Sequence, residues 1–109
     1  MNDQQIVPLI KIVNQLFELE KKVMAKPDMQ TSTRHFDRIR ENLSELGITV
    51  HNPLGEPFPE TRTDCEASIA GDLSQHLIIE EVIKPIIYQM DTNQRKFIIQ
   101  RGVVIVQSK

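Results

Sequence analysis

The chain has 109 residues, of which 39% are apolar and 26% charged, and its formal net charge is −2. This length and balance predict one small folded domain or two small lobes rather than a disordered tail. The charges are interspersed and form no basic stripe, so the sequence indicates no nucleic-acid partner. A single cysteine, Cys65, excludes an internal disulfide. With no signal peptide and no apolar run of membrane-spanning length, we expect no membrane partner and a cytoplasmic location.

The first predicted element is a helix over about residues 3–25. Its apolar side chains recur at three- and four-residue spacing and form one broad face. Ile12 and Leu19, seven residues apart, lie nearly opposite that face and form a second, narrow apolar patch. Pro8 removes a backbone donor and disfavours helical geometry at the residue before it. We therefore expect a kink or the true helix start near Pro8.

A second helix is predicted from about Thr31 or Ser32 to Leu46. Apolar residues at helical spacing give it a single stripe, and a small hydroxyl residue is expected to cap its N-terminus. Gly47 follows the last helical residue, where helices commonly end in a left-handed conformation.

These two helices do not match as a pair, because the first has two apolar sides and the second has one. Burying an Ile or Leu side chain is worth roughly 1.5–3 kcal/mol relative to leaving it exposed, so we expect the narrow patch to be covered. The residues after Gly47, which we call the β half because their patterns predict strands, could cover part of this surface. A second copy in a dimeric four-helix bundle would cover more, and we favour the homodimer. The predicted dimer interface comprises Ile10, Ile12, Val13, Leu16, Phe17, Leu19, Phe36, Ile39 and Leu43.

After Gly47 the hydrophobic period changes, and strand patterns replace helical ones. The strongest strands are Leu77–Met90 and Phe97–Val106, joined by a hairpin connection over residues 91–95. Both runs carry apolar residues at odd and even positions, which predicts a sheet folded over itself into a small sandwich or open barrel. Pro85 cannot donate a ladder hydrogen bond, so it marks an edge position or a bulge.

Weaker signals fill the rest of the β half. We expect a short strand at residues 48–50, an irregular loop with three prolines and a glycine at 52–59, and another short strand within 61–69. The predicted fold class is therefore α+β. A helical dimerisation hairpin over residues 1–47 precedes a small all-β domain over residues 48–109.

No catalytic or metal-binding set is visible in the sequence. His35, His51 and His76 lie far apart and share no metal-ligand spacing with Cys65. Cys65 would need a base and an orienting partner to act as a nucleophile, and we expect a small, partly buried strand residue instead. There is also no glycine-rich phosphate loop. The sequence predicts a protein that binds a partner, without enzymatic activity, cofactor or metal.

Several segments carry a resemblance to a known family. Residues 6–16 loosely follow the pattern Leu-x-Pro-x-Ile-Asp-x-Leu-x-x-Ala, and residues 42–48 an apolar helical stripe that runs into Gly-Val or Gly-Ile. Residues 55–59 and 65–67 follow parts of the pattern Gly-x-Pro-Phe-Asp-Pro-x-x-His-Glu-Ala. Residues 81–106 follow the order of the pattern's last part, which is a strand, a tyrosine, an arginine and a valine-rich strand. In this order the chain resembles the bundle and β-domain portion of the GrpE family, the nucleotide exchange factors of DnaK-type chaperones.

The resemblance implies a homodimer that presses one β domain against the ATPase domain of a DnaK-type chaperone and favours a state with weak ADP affinity. We then expect partner contacts on the β half, at Phe58, Tyr88, Arg95, Lys96 and Arg101. Judged from the residues alone, Phe58 is as much a core residue as an exposed anchor, and Tyr88 is partly buried. For the three cations, the residues alone favour solvated surface charge over pairing with an acidic partner surface.

The sequence also departs from the family pattern. Cys65 stands where the family has a histidine, and Pro85 follows Lys84 where the family has Lys-Gly. The family normally carries a long paired helix ahead of the bundle, and this sequence starts almost at the bundle itself. These departures favour an alternative function, a GrpE-like adaptor or assembly protein without exchange activity.

Overall fold

The computed structural model describes residues 3–71 and 76–108. The order of its elements confirms the α+β class: one long helix and a shorter one come first, and two small sheets follow. The helices are α1 (Asp3–Met24), a 3₁₀ helix (Pro27–Ser32) and α2 (Thr33–Glu45). The strands are β1 (Ile48–His51), β2 (Cys65–Ala70), β3 (Leu77–Lys84), β4 (Ile86–Met90), β5 (Lys96–Gln100) and β6 (Gly102–Ser108).

The long helix α1 begins at Asp3, as its predicted range has it, and runs through Pro8. Of the two alternatives for Pro8, a helix start there is wrong, and a kink stays a prediction. Pro8 is the sixth residue of α1, beyond the first turn, so the helix lacks the hydrogen bond that an N–H at this position would donate to the Gln4 carbonyl. Beyond Pro8, α1 continues without a break to two lysines in its last turn, where positive charge is favourable.

For α2, the prediction for the N-terminal cap is wrong at Ser32, and the prediction for the C-terminal end is confirmed. Ser32 has helical backbone angles and makes no side-chain capping hydrogen bond, so the hydroxyl cap was wrong for this residue. The 3₁₀ helix runs directly into α2 and leaves no extended capping position. The side chain of Thr31, the other candidate, lies outside the described part of the chain. At the other end the prediction is confirmed: Gly47 has φ +82° and its N–H donates to the Ser44 carbonyl at 2.9 Å.

The six strands form two three-stranded sheets, ordered β1–β4–β5 and β2–β6–β3. All neighbours are antiparallel except β2 and β6, which run parallel. Each long predicted strand divides in two: the first breaks at Pro85 and the second at Arg101. The β3–β4 and β5–β6 segments therefore form one long hairpin that bends from one sheet into the other, as strands do at the corners of packed sheets.

The core lies between α1 and the sheets. Phe17 packs into a cluster built mainly from β2, β3 and β6, and Val13 packs against Ile48 and Ile87. This corrects the predicted dimer interface, because Val13 and Phe17 are already buried within their own chain. Helical spacing identified this face of α1 as apolar, and in the structure the β strands cover it.

Candidate protein-interaction surfaces

The described residues, 3–71 and 76–108, contain no group of three or more His, Cys, Asp or Glu side chains that could hold a metal ion. Cys65 is buried at the start of β2. Burial, with a further contribution from the negative charge of Asp64, raises the pKa of the Cys65 thiol to about 11. A thiol that is buried and protonated at neutral pH is a poor nucleophile. The geometry thus offers no support for thiol chemistry.

The irregular loop before β2 is fixed by Arg62. Its guanidinium donates to both oxygens of Asp64, at 2.6 and 3.4 Å, to Glu56 at 2.8 Å, and to the Pro57 carbonyl at 3.1 Å. Burial acts to raise the pKa of Asp64, but the hydrogen bond and the positive charge from Arg62 outweigh it and lower that pKa. Sequence reasoning missed this network, although the closely spaced charges of residues 56–64 were its signal. The network holds the loop that carries Phe58.

Phe58 packs against the core and is not a fully exposed anchor. Its N–H donates to the Leu77 carbonyl at 2.8 Å, and Gly55 and Glu56 make backbone hydrogen bonds of 2.9 Å with Ile79. These bonds place the loop along β3, and the half-buried ring packs against the cluster that contains Phe17. The ring is therefore partly covered by its own chain.

The hairpin that joins β4 to β5 brings two predicted contact residues together. The Lys96 ammonium lies 4.2 Å from the centre of the Tyr88 ring, within cation–π range. Tyr88 is half-buried, as expected, and burial is the main cause of its raised pKa. The Asp91 carboxylate accepts from the backbone N–H groups of Asn93 and Arg95, which fixes the turn. Tyr88, Arg95 and Lys96 thus occupy one end of the β4–β5 hairpin.

Arg101 is separate from this group and makes bonds within its own chain. Its guanidinium donates to the carbonyls of Thr63 and Cys65 at 3.1 and 2.9 Å, and to Glu66 at 3.1 Å. Arg101 lies at the bend between β5 and β6, so these bonds tie the bend to the start of β2. This role differs from the predicted partner contact, and the distant sequence positions gave no signal of it.

The outer side of α1 stays uncovered. Ile12 and Leu19 are 55% and 51% exposed, and they border one shallow depression together with the half-buried Leu16. We call these three residues the α1 strip. A second depression continues from it past Pro8 to Leu46. The β half therefore covers one side of α1 and leaves the other side open.

The helix α2 faces α1 across a cavity of about 210 Å³. Arg40 of α2 forms a salt bridge with Glu20 of α1 beside this space. Of the predicted interface residues on α2, Phe36 is buried while Ile39 and Leu43 are half-buried. On α1, Ile10 packs against the cluster that contains Val13. The cavity is bordered by Val13, Leu16, Phe17, Glu20, Phe36, Ile39, Arg40, Leu43, Val50 and Asn52.

One further apolar surface lies on β5. Phe97 and Ile98 are adjacent in sequence, and 46% and 39% of their respective surfaces are exposed. Sequence reasoning treated both as strand residues covered by the fold. Their position on an edge strand, which the sequence does not specify, explains the difference.

No family model, curated protein or solved structure matches this chain. Within residues 3–71 and 76–108, none of the helices combines the length and apolar character needed to cross a membrane. The surfaces of the chain itself therefore carry the argument about function.

Proposed function

We propose that this chain is a homodimeric co-chaperone of the GrpE type, which binds the ATPase domain of a DnaK-type chaperone and promotes ADP release without catalysing a reaction. The observation that carries the proposal is the presence of two exposed surfaces on different parts of the chain. The α1 strip is suited to a second copy, and the end of the β4–β5 hairpin around Tyr88, Arg95 and Lys96 is suited to another protein.

The dimer follows from the energetics of the α1 strip. Two half-exposed aliphatic side chains, Ile12 and Leu19, stand on one helix with Leu16 between them. Full burial of such a side chain is worth roughly 1.5–3 kcal/mol, and a two-fold axis counts every residue twice. The helices of two copies would form the proposed four-helix bundle. Ile39 and Leu43 of α2, beside the cavity, would complete the interface.

The partner surface on the β half supports a binding function. Tyr88 presents an aromatic ring with the Lys96 ammonium over it, and the exposed Arg95 follows the turn. Aromatic residues and arginine are the types that contribute most at protein interfaces, and cations complement an acidic partner surface. Arg101 would contribute indirectly, by holding the bend between β5 and β6 in place. Phe58 would contribute indirectly as well, by packing against the core beneath the hairpin.

Exchange activity requires only differential affinity. A factor that binds the open form of an ATPase domain more tightly than the closed form weakens nucleotide binding by the same free energy. A coupling of about 1–3 kcal/mol corresponds to a change of about 5- to 150-fold in nucleotide affinity. No base, metal or cofactor takes part in such a mechanism.

The dimer is tested by light scattering behind a sizing column. We expect about twice the chain mass of 12.6 kDa. Ile12→Glu with Leu19→Glu should give the single-chain mass, because a buried unpaired charge is strongly unfavourable. The matched control is Ile83→Glu, which changes an apolar β3 residue that is 44% exposed and should leave the mass unchanged. A single-chain mass for the unaltered protein at tens of micromolar would refute the dimer.

Exchange is tested by the release of a fluorescent ADP from the ATPase domain of a DnaK-type chaperone of the same organism. We expect faster release, and Arg95→Glu with Lys96→Glu should slow it through weaker association. Lys84→Glu, an exposed cation on β3, is the matched control. Binding without faster release would favour the adaptor function, and no binding at all would refute both.

A further inference from the structure

We propose that the free edge of β5 binds an extended peptide with an apolar centre and acidic ends, which adds to the sheet as a further strand. This proposal rests on the proposed function in one respect, because it takes the β half as the partner-binding part. It adds the mode of recognition, which is backbone pairing along β5, and the chemical class of the segment that is recognised.

The geometry of the sheet leaves this edge open. β5 is the outer strand of the order β1–β4–β5, and among residues 3–71 and 76–108 no strand pairs with its other side. Backbone N–H and C=O groups alternate between the two sides of a strand, so part of this row points away from β4. A shift in register at Ile87 and Tyr88 leaves Ile99 without a partner on β4, so the regular part of the edge is Lys96–Ile98.

The corresponding edges of the other sheet are less suited to a peptide. The loop around Gly55–Phe58 runs along β3 and makes hydrogen bonds with Leu77 and Ile79. β2 carries small and polar residues over most of its exposed length, with Ile69 as its only large apolar side chain. β5 combines an open backbone edge with two adjacent large apolar side chains.

The exposed side chains of β5 serve both faces of an added strand. Successive residues of a strand point to opposite faces, so Phe97 and Ile98 flank the edge from the two sides. Ile98 lies opposite Tyr88, and Phe97 opposite Gln89. An added strand with apolar residues at adjacent positions would contact Phe97 on one face and Ile98 on the other. Each contact would cover surface that the single chain leaves in water.

Charge identifies the occupant. Arg95 and Lys96 stand at one end of β5. Arg101, which is half-exposed and also bonds Glu66 and two backbone carbonyls, follows the other end. If two copies paired antiparallel about Ile98, Arg95 of each chain would face Arg101 of the other chain. In a parallel, in-register pair, each cation would face the same residue of the other chain. Like charges directly opposite one another destabilise a strand pair. A peptide with acidic residues at both ends and an apolar centre complements this edge, whereas a second copy does not.

Both ends of the edge are held in place before any peptide arrives. At one end, Asp91 fixes the turn through the Arg95 N–H at 2.8 Å. At the other, the Gln100 and Asn14 side chains exchange two hydrogen bonds of 2.8 Å, and Gln100 also donates to the Pro85 carbonyl at 2.9 Å. A pre-ordered edge loses little conformational entropy when it pairs, which favours binding.

The test uses the whole chain and a dye-labelled peptide with adjacent valines opposite the Lys96–Ile98 edge and glutamates at both ends. We expect micromolar binding by fluorescence anisotropy, and added protection in hydrogen exchange among the amides of residues 96–98. Ile98→Lys should weaken binding by about tenfold or more, because a lysine on the edge disfavours strand addition. The control Ile83→Lys changes an equally exposed apolar residue away from the edge and should bind as the unaltered chain does.

Two control peptides separate backbone pairing from charge. A central proline should abolish binding, because it removes a donor from the added strand. Lysines in place of the glutamates should weaken binding most at low salt, where charges are least screened. Equal binding of the proline peptide, equal binding to Ile98→Lys, or no binding at millimolar peptide would each overturn the proposal. Self-association that Ile98→Lys abolishes would assign the edge to a second copy instead.

The peptide-binding proposal and the nucleotide-exchange proposal can fail independently of each other. Peptide binding without any effect on ADP release keeps the edge site and removes the co-chaperone activity. Faster ADP release without peptide binding overturns the edge proposal and places the contact on the side chains of Tyr88, Arg95 and Lys96.

Discussion

Replacing Gly102 by alanine should destabilise the chain through a steric conflict that the structure locates. A Cβ atom built on Gly102 would lie 2.9 Å from the Cys65 Sγ and 3.0 Å from the Ile86 Cγ1. Both neighbours are buried, so neither side chain can simply move into water. Gly102 does not have a positive φ, so the alanine backbone itself is unstrained and the clash can be measured alone.

The expected magnitude follows from two opposing effects. Overpacking a buried site costs about 1–3 kcal/mol. The smaller freedom of alanine in the unfolded chain offsets about 0.4–1 kcal/mol of this cost. At the centres of these two ranges, Gly102→Ala lowers the free energy of unfolding by about 1–2 kcal/mol, which for a domain of this size lowers Tm by several degrees.

A double-mutant cycle identifies the cause. Cys65→Ala removes the closest of the clashing atoms, so Gly102→Ala should cost about 1 kcal/mol less in the Cys65→Ala background than in the original chain. The contact with Ile86 remains, so the rescue should be partial. The measurement is urea unfolding at one fixed protein concentration, with the slope of the transition checked for constancy.

The matched control is Gly55→Ala. Gly55 has φ +82° with open space around its Cβ position, so its cost comes from backbone strain and should add independently to that of Cys65→Ala. An unchanged stability for Gly102→Ala, or strict additivity of Gly102→Ala and Cys65→Ala, would show that the packing between β2, β4 and β6 differs from the structure described.

Three further predictions concern ionisable and polar groups. Folding raises the pKa of the Cys65 thiol from 9.0 to about 11, so its contribution to stability is complete below pH 9. This contribution falls by roughly 2 kcal/mol as the pH approaches 11, because the unfolded chain loses the thiol proton first. Cys65→Ala should lack this alkaline loss when urea midpoints are measured against pH. The lowered pKa of Asp64 gives the opposite sign: its contribution is present above the unfolded pKa and is lost on acidification through the folded value, and Arg62→Ala should remove it while costing about 1.5–3 kcal/mol at neutral pH. Asn14→Ala should cost about 0.5–1.5 kcal/mol and speed hydrogen exchange of the Gln100 side-chain amide, because the paired bonds between α1 and β5 are lost.

Local sequence patterns predicted the helices well. The predicted ranges for α1 and α2 differ from the structure by at most two residues at any end, because apolar spacing and Gly47 act over single turns. Pro85, which was expected to mark an edge position or a bulge within one strand, instead separates β3 from β4. The signal was local, since a missing N–H is a property of one residue. The break at Arg101 had no such signal. It depends on hydrogen bonds to Thr63 and Cys65, more than thirty residues earlier.

The surfaces were harder to predict than the elements. Helical spacing identified both apolar sides of α1, but it does not say which side the strands cover and which stays open. In the structure Val13 and Phe17 face the strands, and Ile12 and Leu19 remain exposed. Strand order decides in the same way whether Phe97 is central or at an edge, and strand order arises from pairing between distant segments. The sequence pattern therefore contained the apolar residues of both surfaces but not their exposure.

The helix α1 connects the two surfaces physically. Its outer side carries the α1 strip, and Asn14, on a different side of the same helix, holds Gln100 at the end of β5. Lys21 near the C-terminal end of the helix donates to the Val82 carbonyl of β3 at 2.8 Å, so α1 is tied to both sheets. A second copy that packs on the strip would restrict α1, and through Asn14 it would also restrict the β5 edge. Because ordering an edge in advance lowers the entropic cost of pairing with it, dimerisation and peptide binding should reinforce each other.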